Sequence, residues 1–279
     1  GEFTSSQVFT VTVNAVNDAP VLAEVNAVSF GEDSSTSITL SGSDIDGDGL
    51  TYSVSDGADI TATVSGFTVT FTATENYSGS ESFTATVSDG SLTGSQTFTV
   101  TVTPVNDAPT LAAVSTVTFD EDGSGSTTLS GSDIDSSDLT YTISGGTEIT
   151  ATVDESTVSF ASSQDFNGSE SFTATVTDGE FTSSQAFTVT VNAVNDQPTA
   201  DAASGTVAED GSVVVTLSGS DIDGDNLTFS LASDATNGSV TVQGSQATYT
   251  PSANYNGSDS FTFAASDGEL SATAAVTLT

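Results

Sequence analysis

The sequence predicts an all-β protein made of tandem seven-stranded antiparallel β-sandwiches, and three observations support this fold class. First, the pentapeptide Val-Asn-Asp-Xaa-Pro begins at Val16, Val105 and Val194, at a step of 89 residues each time. A fixed period of this kind is the signature of a tandem array. Second, long stretches alternate Thr or Ser with Val, Phe or Ala, as a strand requires. Third, Gly, Asp, Asn and Ser cluster between these stretches, where turns need them.

Each repeat contains seven alternating segments. In the first repeat they lie near residues 21–30, 36–41, 50–55, 59–64, 67–73, 81–88 and 95–103. Thr facing outward with Val or Phe facing inward is typical of a half-buried antiparallel strand. Seven short strands in about 90 residues, with no helical stretch, indicate a two-sheet sandwich of the immunoglobulin-like type. We expect an elongated rod in which each repeat touches only its neighbours.

The pentapeptide also divides the chain into domains. We assign residues 17–105, 106–194 and 195–279 to three successive repeats. Residues 1–16 precede them, and Gly1–Gln7 is identical to Gly179–Gln185. We therefore interpret residues 1–13 as the last strand of a preceding repeat, followed by its linker. Such a strand should fray in isolation or find a partner edge, and we expect the chain to come from the middle of a longer polypeptide.

The charge of the chain restricts its partners. Its 279 residues include 38 Asp and Glu but no Lys, Arg, His or Cys, so the net charge is −38. Nucleic acid and anionic membrane surfaces are excluded as partners, because proteins bind both through Lys and Arg. No run of about 18 apolar residues occurs, so no membrane insertion is expected. Scattered acids would only keep the surface soluble, but acids at recurring positions need another explanation.

Acidic residues recur around every pentapeptide. Asp133-Ile134-Asp135 is predicted to lie in the turn between the second and third strands, where a period of 2 points both carboxylates the same way. Asp178 is predicted to end the sixth strand and Glu32 the first. Two carboxylates about 4 Å apart repel by roughly 4 kcal/mol at an effective dielectric near 20, so clustered acids need a cation. Calcium takes 6–8 oxygen ligands in loose geometry, whereas zinc and copper favour Cys or His.

With these motifs, the whole chain resembles tandem bacterial cadherin-like repeats of large calcium-binding surface adhesins. Cadherins carry a D-x-N-D linker, a D-x-D turn, a Glu near the end of the first strand and an Asp at the end of the sixth. The stretch from Asn76 to Phe83 resembles the bacterial branch in particular. The resemblance implies Ca²⁺ bound between successive repeats. The matching positions are Asn17, Asp18, Asn106, Asp107, Asn195 and Asp196 in the linkers; Asp44, Asp46, Asp133, Asp135, Asp221 and Asp223 in the turns; Asp89, Asp178 and Asp267 after the sixth strands; and Glu32, Glu121 and Glu209 after the first strands.

The sequence departs from the cadherin pattern in several places. The linker lacks the first Asp of the animal motif, which removes a ligand. The L-D-R-E motif is absent, and the region around Glu75-Asn76 is a loose substitute for it. The second turn reads Asp135-Ser136-Ser137-Asp138, where the other two repeats have Asp-Gly-Asp. The pair Glu32-Asp33 and its counterparts in the other repeats could also form an ordinary turn.

These features predict a calcium-rigidified extender, or stalk, of a bacterial cell-surface adhesin, located outside the cell. Extracellular calcium modules bind at about 10⁻⁴–10⁻³ M. The partners expected are the neighbouring repeats of the same long chain. The alternatives are a filament subunit, assembled through homotypic or donated-strand contacts of residues 1–13, and a carbohydrate-binding module, which the absence of Trp disfavours. An enzyme is not expected, because paired carboxylates alone would support only glycoside chemistry in a cleft.

Tyr77, Phe166 and Tyr255 are expected to pin a corner onto the core and not to stack on sugars.

Overall fold

A computed structural model describes residues 2–279 of the chain, and Gly1 lies outside the described residues. All regular secondary structure in this range is β-strand, as the alternating pattern predicts. The same residues contain no helix that is long and apolar enough to span a membrane. The chain divides into two compact units. The first comprises the residues up to Ala108 together with Asp133–Ser137, and the second comprises Pro109–Ser132 together with Asp138–Thr279.

The first unit contains one complete sandwich. Its strands are β1 (Val21–Leu22), β2 (Val28–Gly31), β3 (Ser35–Thr39), β4 (Gly42–Ser43), β5 (Thr51–Val54), β6 (Ile60–Ser65), β7 (Thr68–Ala73), β8 (Gly79–Ser88) and β9 (Thr93–Thr103). One sheet has the strand order β2-β9-β8-β5 and the other has the order β3-β7-β6, while β1 and β4 form a separate short pair.

The second unit repeats this arrangement twice. The first set of strands is β10 (Thr110–Leu111), β11 (Val117–Asp120), β12 (Ser124–Thr128), β13 (Gly131–Ser132), β14 (Thr140–Gly145), β15 (Ile149–Asp154), β16 (Thr157–Ser162), β17 (Gly168–Thr177) and β18 (Thr182–Asn192). The second set is β19 (Thr199–Ala200), β20 (Ala203–Gly205), β21 (Val213–Thr216), β22 (Gly219–Ser220), β23 (Thr228–Ser233), β24 (Gly238–Gln243), β25 (Gln246–Pro251), β26 (Asp259–Ser266) and β27 (Ser271–Leu278). The sheet orders are β11-β18-β17-β14 with β12-β16-β15, and β20-β27-β26-β23 with β21-β25-β24.

The first predicted strand of each repeat is divided into two segments that join different partners. In the first repeat, β1 pairs antiparallel with β4, and β2 then pairs parallel with β9, in the register Val28↔Val100 and Phe30↔Val102. The chain thus changes partners between residues 22 and 28. The parallel pair is a local exception to the antiparallel arrangement that the sequence predicts, and a two-residue alternation cannot reveal it, because both pairings use the same period.

In the first two repeats, aromatic rings from both sheets close the sandwich. In the first repeat, the ring of Phe71 on β7 meets the ring of Phe83 on β8 edge-on at 5.5 Å between centroids. Phe160 and Phe172 repeat this contact at 5.2 Å. Edge-to-face packing is a favoured geometry for aromatic pairs. Because the two rings come from different sheets, the pair holds the layers of the sandwich together.

The aromatic residue before each sixth strand packs as a corner residue. Tyr77 and Phe166 are partly buried against the cores of their own repeats. The Tyr255 hydroxyl donates a hydrogen bond to the Ser258 carbonyl at 2.8 Å, closing the same turn in the third repeat. These contacts agree with the expected corner role.

The described part of the N-terminal segment forms no strand. Residues 2–20 contain no regular secondary structure, which is the frayed state expected for residues 1–13 in isolation. Phe3, Val8 and Phe9 are all more than four-fifths exposed. The physical reason is that a last strand is held by a sixth strand and a first strand on its two sides, and this sequence contains no such strands before residue 17.

Candidate metal centre

Parallel pairing brings the end of a repeat's first strand to the beginning of its outgoing linker. In the second unit, β11 and β18 pair in parallel, and Asp120 lies opposite Asn192 at their C-terminal ends. Glu121 directly follows β11, and the linker residues Val194 and Asp196 follow β18. The fold therefore places a glutamate beside the linker, as the sequence predicts for this Glu.

Glu121 is the buried anchor of this site. Its side chain is only 5% exposed. One carboxylate oxygen, Oε1, accepts a hydrogen bond from the backbone amide of Val194 at 2.5 Å. The other oxygen, Oε2, is buried and has no hydrogen-bond partner. A buried charged oxygen without a partner is costly, and a cation would satisfy it.

The linker is also bonded to the turn of the following repeat. The backbone amide of Asp196 donates a hydrogen bond to Asp223 Oδ2 at 2.8 Å. Asp221 Oδ1 accepts a bond from the amide of Asp223 at 3.0 Å, so the two turn carboxylates are ordered by the backbone. The remaining oxygens Asp196 Oδ2 and Asp221 Oδ2 are buried and unpartnered.

Two groups of three carboxylates meet at the linker. Ligand oxygens of Glu121, Asp196 and Asp223 lie within 4.8 Å of one another, and so do those of Asp122, Asp165 and Asp196. Across residues 2–279, these are the two groups of three acids that gather this closely. Asp196 belongs to both groups. We call these residues, together with Asp221, the Asp196 cluster.

The electrostatics of the Asp196 cluster favour a bound cation. Burial raises the pKa of Asp196 above its ordinary value, and the charges of Asp165, Asp223, Asp122 and Glu121 raise it further. The chain has no Lys, Arg or His to offset them. All the potential metal ligands in this cluster are oxygens, and carboxylate oxygen is the ligand type that calcium prefers.

Asp267 and Asn195 position the linker. Asn195 Nδ2 donates to Asp267 Oδ2 at 3.1 Å, and Asp267 Oδ1 accepts bonds from the amides of Glu269 and Leu270 at 2.7 Å each. The bond from the Glu269 amide makes the largest contribution to a pKa of Asp267 below its usual value, against the opposing effect of burial. Both of its oxygens are thus used within the protein.

The first unit contains a corresponding group, which we call the Asp107 cluster: Glu32, Asp33, Asn76, Asp107, Asp133 and Asp135. Glu32 is 5% exposed and accepts a bond from the amide of Val105 at 2.6 Å. The amide of Asp107 donates to Asp135 Oδ2 at 2.8 Å. Asp107 Oδ2 and Asp133 Oδ2 are buried and unpartnered. Burial raises the pKa of Asp107, as do the nearby charges of Asp33, Asp135, Glu32 and Asp133.

The other predicted ligands occupy the expected segments. Asn106 lies in the linker, and Asp178 directly follows β17. At the N-terminal linker, the amide of Asp18 donates to Asp46 Oδ2 at 2.8 Å, and Asn17 Nδ2 donates to Asp89 Oδ2 at 2.9 Å. Asp44 Oδ2 is buried without a partner. Glu209, in contrast, is exposed.

The ligand set drawn from the sequence omits Asp122 and Asp165, which the structure places in the Asp196 cluster. The sequence does contain a signal for these two residues, because Asp or Asn recurs at the matching positions of all three repeats. Positions 33, 122 and 210 are all Asp, and positions 76, 165 and 254 are Asn, Asp and Asn. All six residues have a positive φ between 54° and 58°, a conformation that Asn and Asp tolerate better than other side chains. The Asp165 amide donates to Asp122 Oδ1 at 3.4 Å, so these residues form turns and also supply carboxylates.

Repeated two-sheet sandwiches define this protein as a tandem array of immunoglobulin-like and cadherin-like domains. The model of the Bacterial Ig domain matches residues 17–103, 106–192 and 195–279, and the chain belongs to this family. Repeats of this class are typically structural or adhesive.

Solved cadherin structures share the fold. Cadherin domains 1–5 of protocadherin gamma B2 match over 93% of this chain and 59% of that structure, with a TM-score of 0.62 and 18% identity. Domains EC22–24 of mouse cadherin-23 match over 94% of this chain and 98% of that structure, with a TM-score of 0.59 and 20% identity. The chain therefore spans three-fifths of the protocadherin structure. No curated protein matches the sequence.

Proposed function

We propose that this chain is a calcium-rigidified extender segment of a large bacterial cell-surface adhesin, with Ca²⁺ bound where one repeat follows the next. The observation that carries the proposal is the Glu121 carboxylate, which is 95% buried, bonded through one oxygen to the linker, and unpartnered at the other. Among residues 2–279, seven buried side-chain oxygens lack a partner, and six of them belong to acids of the linker regions.

Calcium is the cation that suits this donor set. The chain offers carboxylate, amide and backbone oxygens and no His or Cys. Calcium accepts 6–8 such oxygens in flexible geometry, whereas Mg²⁺ demands near-ideal octahedral geometry and retains its waters. The affinities of extracellular calcium modules, about 10⁻⁴–10⁻³ M, suit a location outside the cell. An extracellular setting is also common for domains of this family.

Calcium would stiffen the array because its ligands come from different parts of the chain. Glu121 belongs to one repeat, Asp196 to the linker, and Asp221 and Asp223 to the next repeat. One ion bound by all three elements fixes their mutual positions. Without it, carboxylates held about 4 Å apart repel by several kcal/mol, and we expect the linker to bend more freely.

The test is small-angle X-ray scattering of the whole chain in calcium and then in chelator. On chelation, we expect the maximum dimension to shrink or the distribution of interatomic distances to broaden. Circular dichroism should still report β-structure. The Asp196→Asn variant should lose the part of the calcium-dependent scattering change that comes from the second unit. Asp201→Asn, which alters an exposed acid in the same repeat, should scatter like the wild type. An unchanged profile on chelation would show that the acids only solubilise the surface.

A second function, assembly with another copy of the chain, is favoured by the exposed N-terminal segment. Phe9, Val11 and Val13 are at least 72% exposed, while the equivalent residues of β18, Phe187, Val189 and Val191, are at most 6% exposed. An apolar strand sequence without a sheet is a template for pairing with another chain. Light scattering of the whole chain and of a variant lacking residues 1–13 tests this function, which requires a mass above one chain that the deletion abolishes.

A further inference from the structure

The Asp107 and Asp196 clusters are built alike but differ in charge at one position. Glu32, Asp33 and Asp107 correspond to Glu121, Asp122 and Asp196 at the repeat step of 89. At the same step, Asn76 corresponds to Asp165. The Asp196 cluster therefore has a carboxylate where the Asp107 cluster has a neutral amide.

The backbone holds this position in the same way in both clusters. Asn76 has a φ of 57°, and its backbone amide donates a hydrogen bond to Asp33 Oδ1 at 3.2 Å. Asp165 has a φ of 54° and donates to Asp122 Oδ1 at 3.4 Å. Because the turn geometry is shared, the difference between the two positions is essentially one negative charge.

The carboxylates gather differently around the two linkers. In the Asp196 cluster, Asp196 belongs to two groups of three acids, one with Glu121 and Asp223 and one with Asp122 and Asp165. Around Asp107, no three acids of the described chain approach within the same 4.8 Å. Buried Glu121, with its unpartnered Oε2, independently indicates that the Asp196 cluster awaits a ligand.

We propose that the two clusters bind calcium unequally: the Asp196 cluster holds two neighbouring Ca²⁺ ions that share the Asp196 carboxylate, and it fills at lower calcium concentration than the Asp107 cluster. This inference rests on the proposed function. The calcium affinity of a site depends on the number of its charged ligands. An Asn carbonyl oxygen can still bind calcium, so Asn76 weakens the second ion position without removing it. The two linkers then stiffen one after the other as calcium rises.

Reciprocal substitutions of the whole chain, followed by isothermal titration calorimetry with CaCl₂, test the inference. We expect two classes of site in the wild type, and loss of the tighter class in Asp196→Asn. Asp165→Asn should weaken the tighter class by about tenfold, and Asn76→Asp should strengthen the weaker class by a similar factor, because each changes the ligand charge by one. Both replacements suit a positive φ, so the fold should persist, and circular dichroism verifies this.

Asn254→Asp provides a matched control. Asn254 occupies the same turn, with a φ of 58° and a bond from its backbone amide to Asp210 Oδ1 at 3.1 Å, but neither residue belongs to the Asp107 or the Asp196 cluster. The added charge should therefore leave both classes unchanged. A single uniform class in the wild type, or isotherms that neither Asp165→Asn nor Asn76→Asp alters, would overturn the inference and leave the proposed function intact. A wild type that takes up no calcium would overturn both.

Discussion

The carboxylate of Glu121 and the backbone amide of Val194 are hydrogen-bonded at 2.5 Å, although 73 residues separate them. Glu32 and Val105 make the same contact at the same separation. In both cases the glutamate holds the start of the linker through one oxygen. The linker is thus positioned by its own repeat, and the second carboxylate oxygen of Glu121, which is buried without a partner, remains available to a cation.

We expect Glu121→Gln to weaken calcium binding by about tenfold or more, since it removes a ligand charge, while the amide oxygen of Gln can still accept the bond from Val194. Calorimetric titration with calcium measures this effect. Glu209→Gln is the matched control, because Glu209 occupies the equivalent position of the third repeat but is exposed. Equal effects of the two substitutions would show that burial of Glu121 has no role in calcium binding.

The stability of the calcium-free protein should pass through a maximum as the pH falls. The pKa values of Asp107 and Asp196 are raised above the ordinary 3.8 by burial and by neighbouring acids. Such groups bind protons more readily in the folded state, so acidification just above pH 3.8 relieves repulsion and stabilises the fold. Asp267, whose pKa is lowered, acts in the opposite direction. Its stabilisation is lost as the pH falls below 3.8.

Thermal unfolding in chelator, followed across this pH range, measures the maximum. Saturating calcium should remove the rise above pH 3.8, because a bound cation replaces the proton. The double variant Asp107→Asn with Asp196→Asn should lack the rise even without calcium. A melting temperature that only falls on acidification of the calcium-free wild type would contradict the prediction.

Glu170→Gln should destabilise the second repeat by on the order of 1 kcal/mol. The Glu170 carboxylate accepts bonds from the amides of Thr147, Glu148 and Ile149 at 3.0–3.1 Å. Partial burial raises the pKa of Glu170, but these amide bonds outweigh it and hold the pKa below 4.5. Urea unfolding followed by circular dichroism measures the loss. Glu180→Gln, in an exposed turn of the same repeat, should be nearly neutral.

Phe172→Ala should destabilise the same repeat by about 3–5 kcal/mol, the usual cost of removing a buried aromatic ring. Phe172 is fully buried and contacts Phe160 from the opposite sheet and Phe187 from the neighbouring strand. The urea transition of this repeat should move to lower concentration. Phe181→Ala removes a ring that is 43% exposed and should cost much less. Similar shifts for both would mean that the core is not closed by these rings.

The repeat, the strand periodicity and the positions of the turn acids could all be predicted from the sequence. Phe83, Ala85 and Val87 are fully buried at alternate positions, as the alternation requires. The division of the first strand was not predictable, because parallel and antiparallel pairing share the same two-residue alternation and the partner of each segment is supplied by tertiary packing. Likewise, residues 2–13 carry the alternation of a strand, but pairing depends on neighbours and not on pattern alone.

The acids near the linkers were predicted in part. Asp196 and Glu121 belong to recurring motifs, so their type and spacing revealed them. Asp165 was not predicted as a ligand, because its counterparts in the other repeats are Asn76 and Asn254. A carboxylate therefore does not recur at this position. The left-handed backbone at these positions is a property of the folded turn, and the Asn and Asp residues were its only trace in the sequence.

The parallel pairing of β2 with β9 determines how a repeat responds to a pulling force. The register runs from Val28↔Val100 to Gly31↔Thr103, so a strand near the entrance of the repeat lies beside the strand at its exit. Tension between the two ends draws these parallel strands past each other lengthwise. The evenly spaced hydrogen bonds between them are then loaded in shear and share the load. The repeat yields only when this ladder ruptures as a whole, whereas an antiparallel hairpin pulled from its open end would unzip one bond at a time.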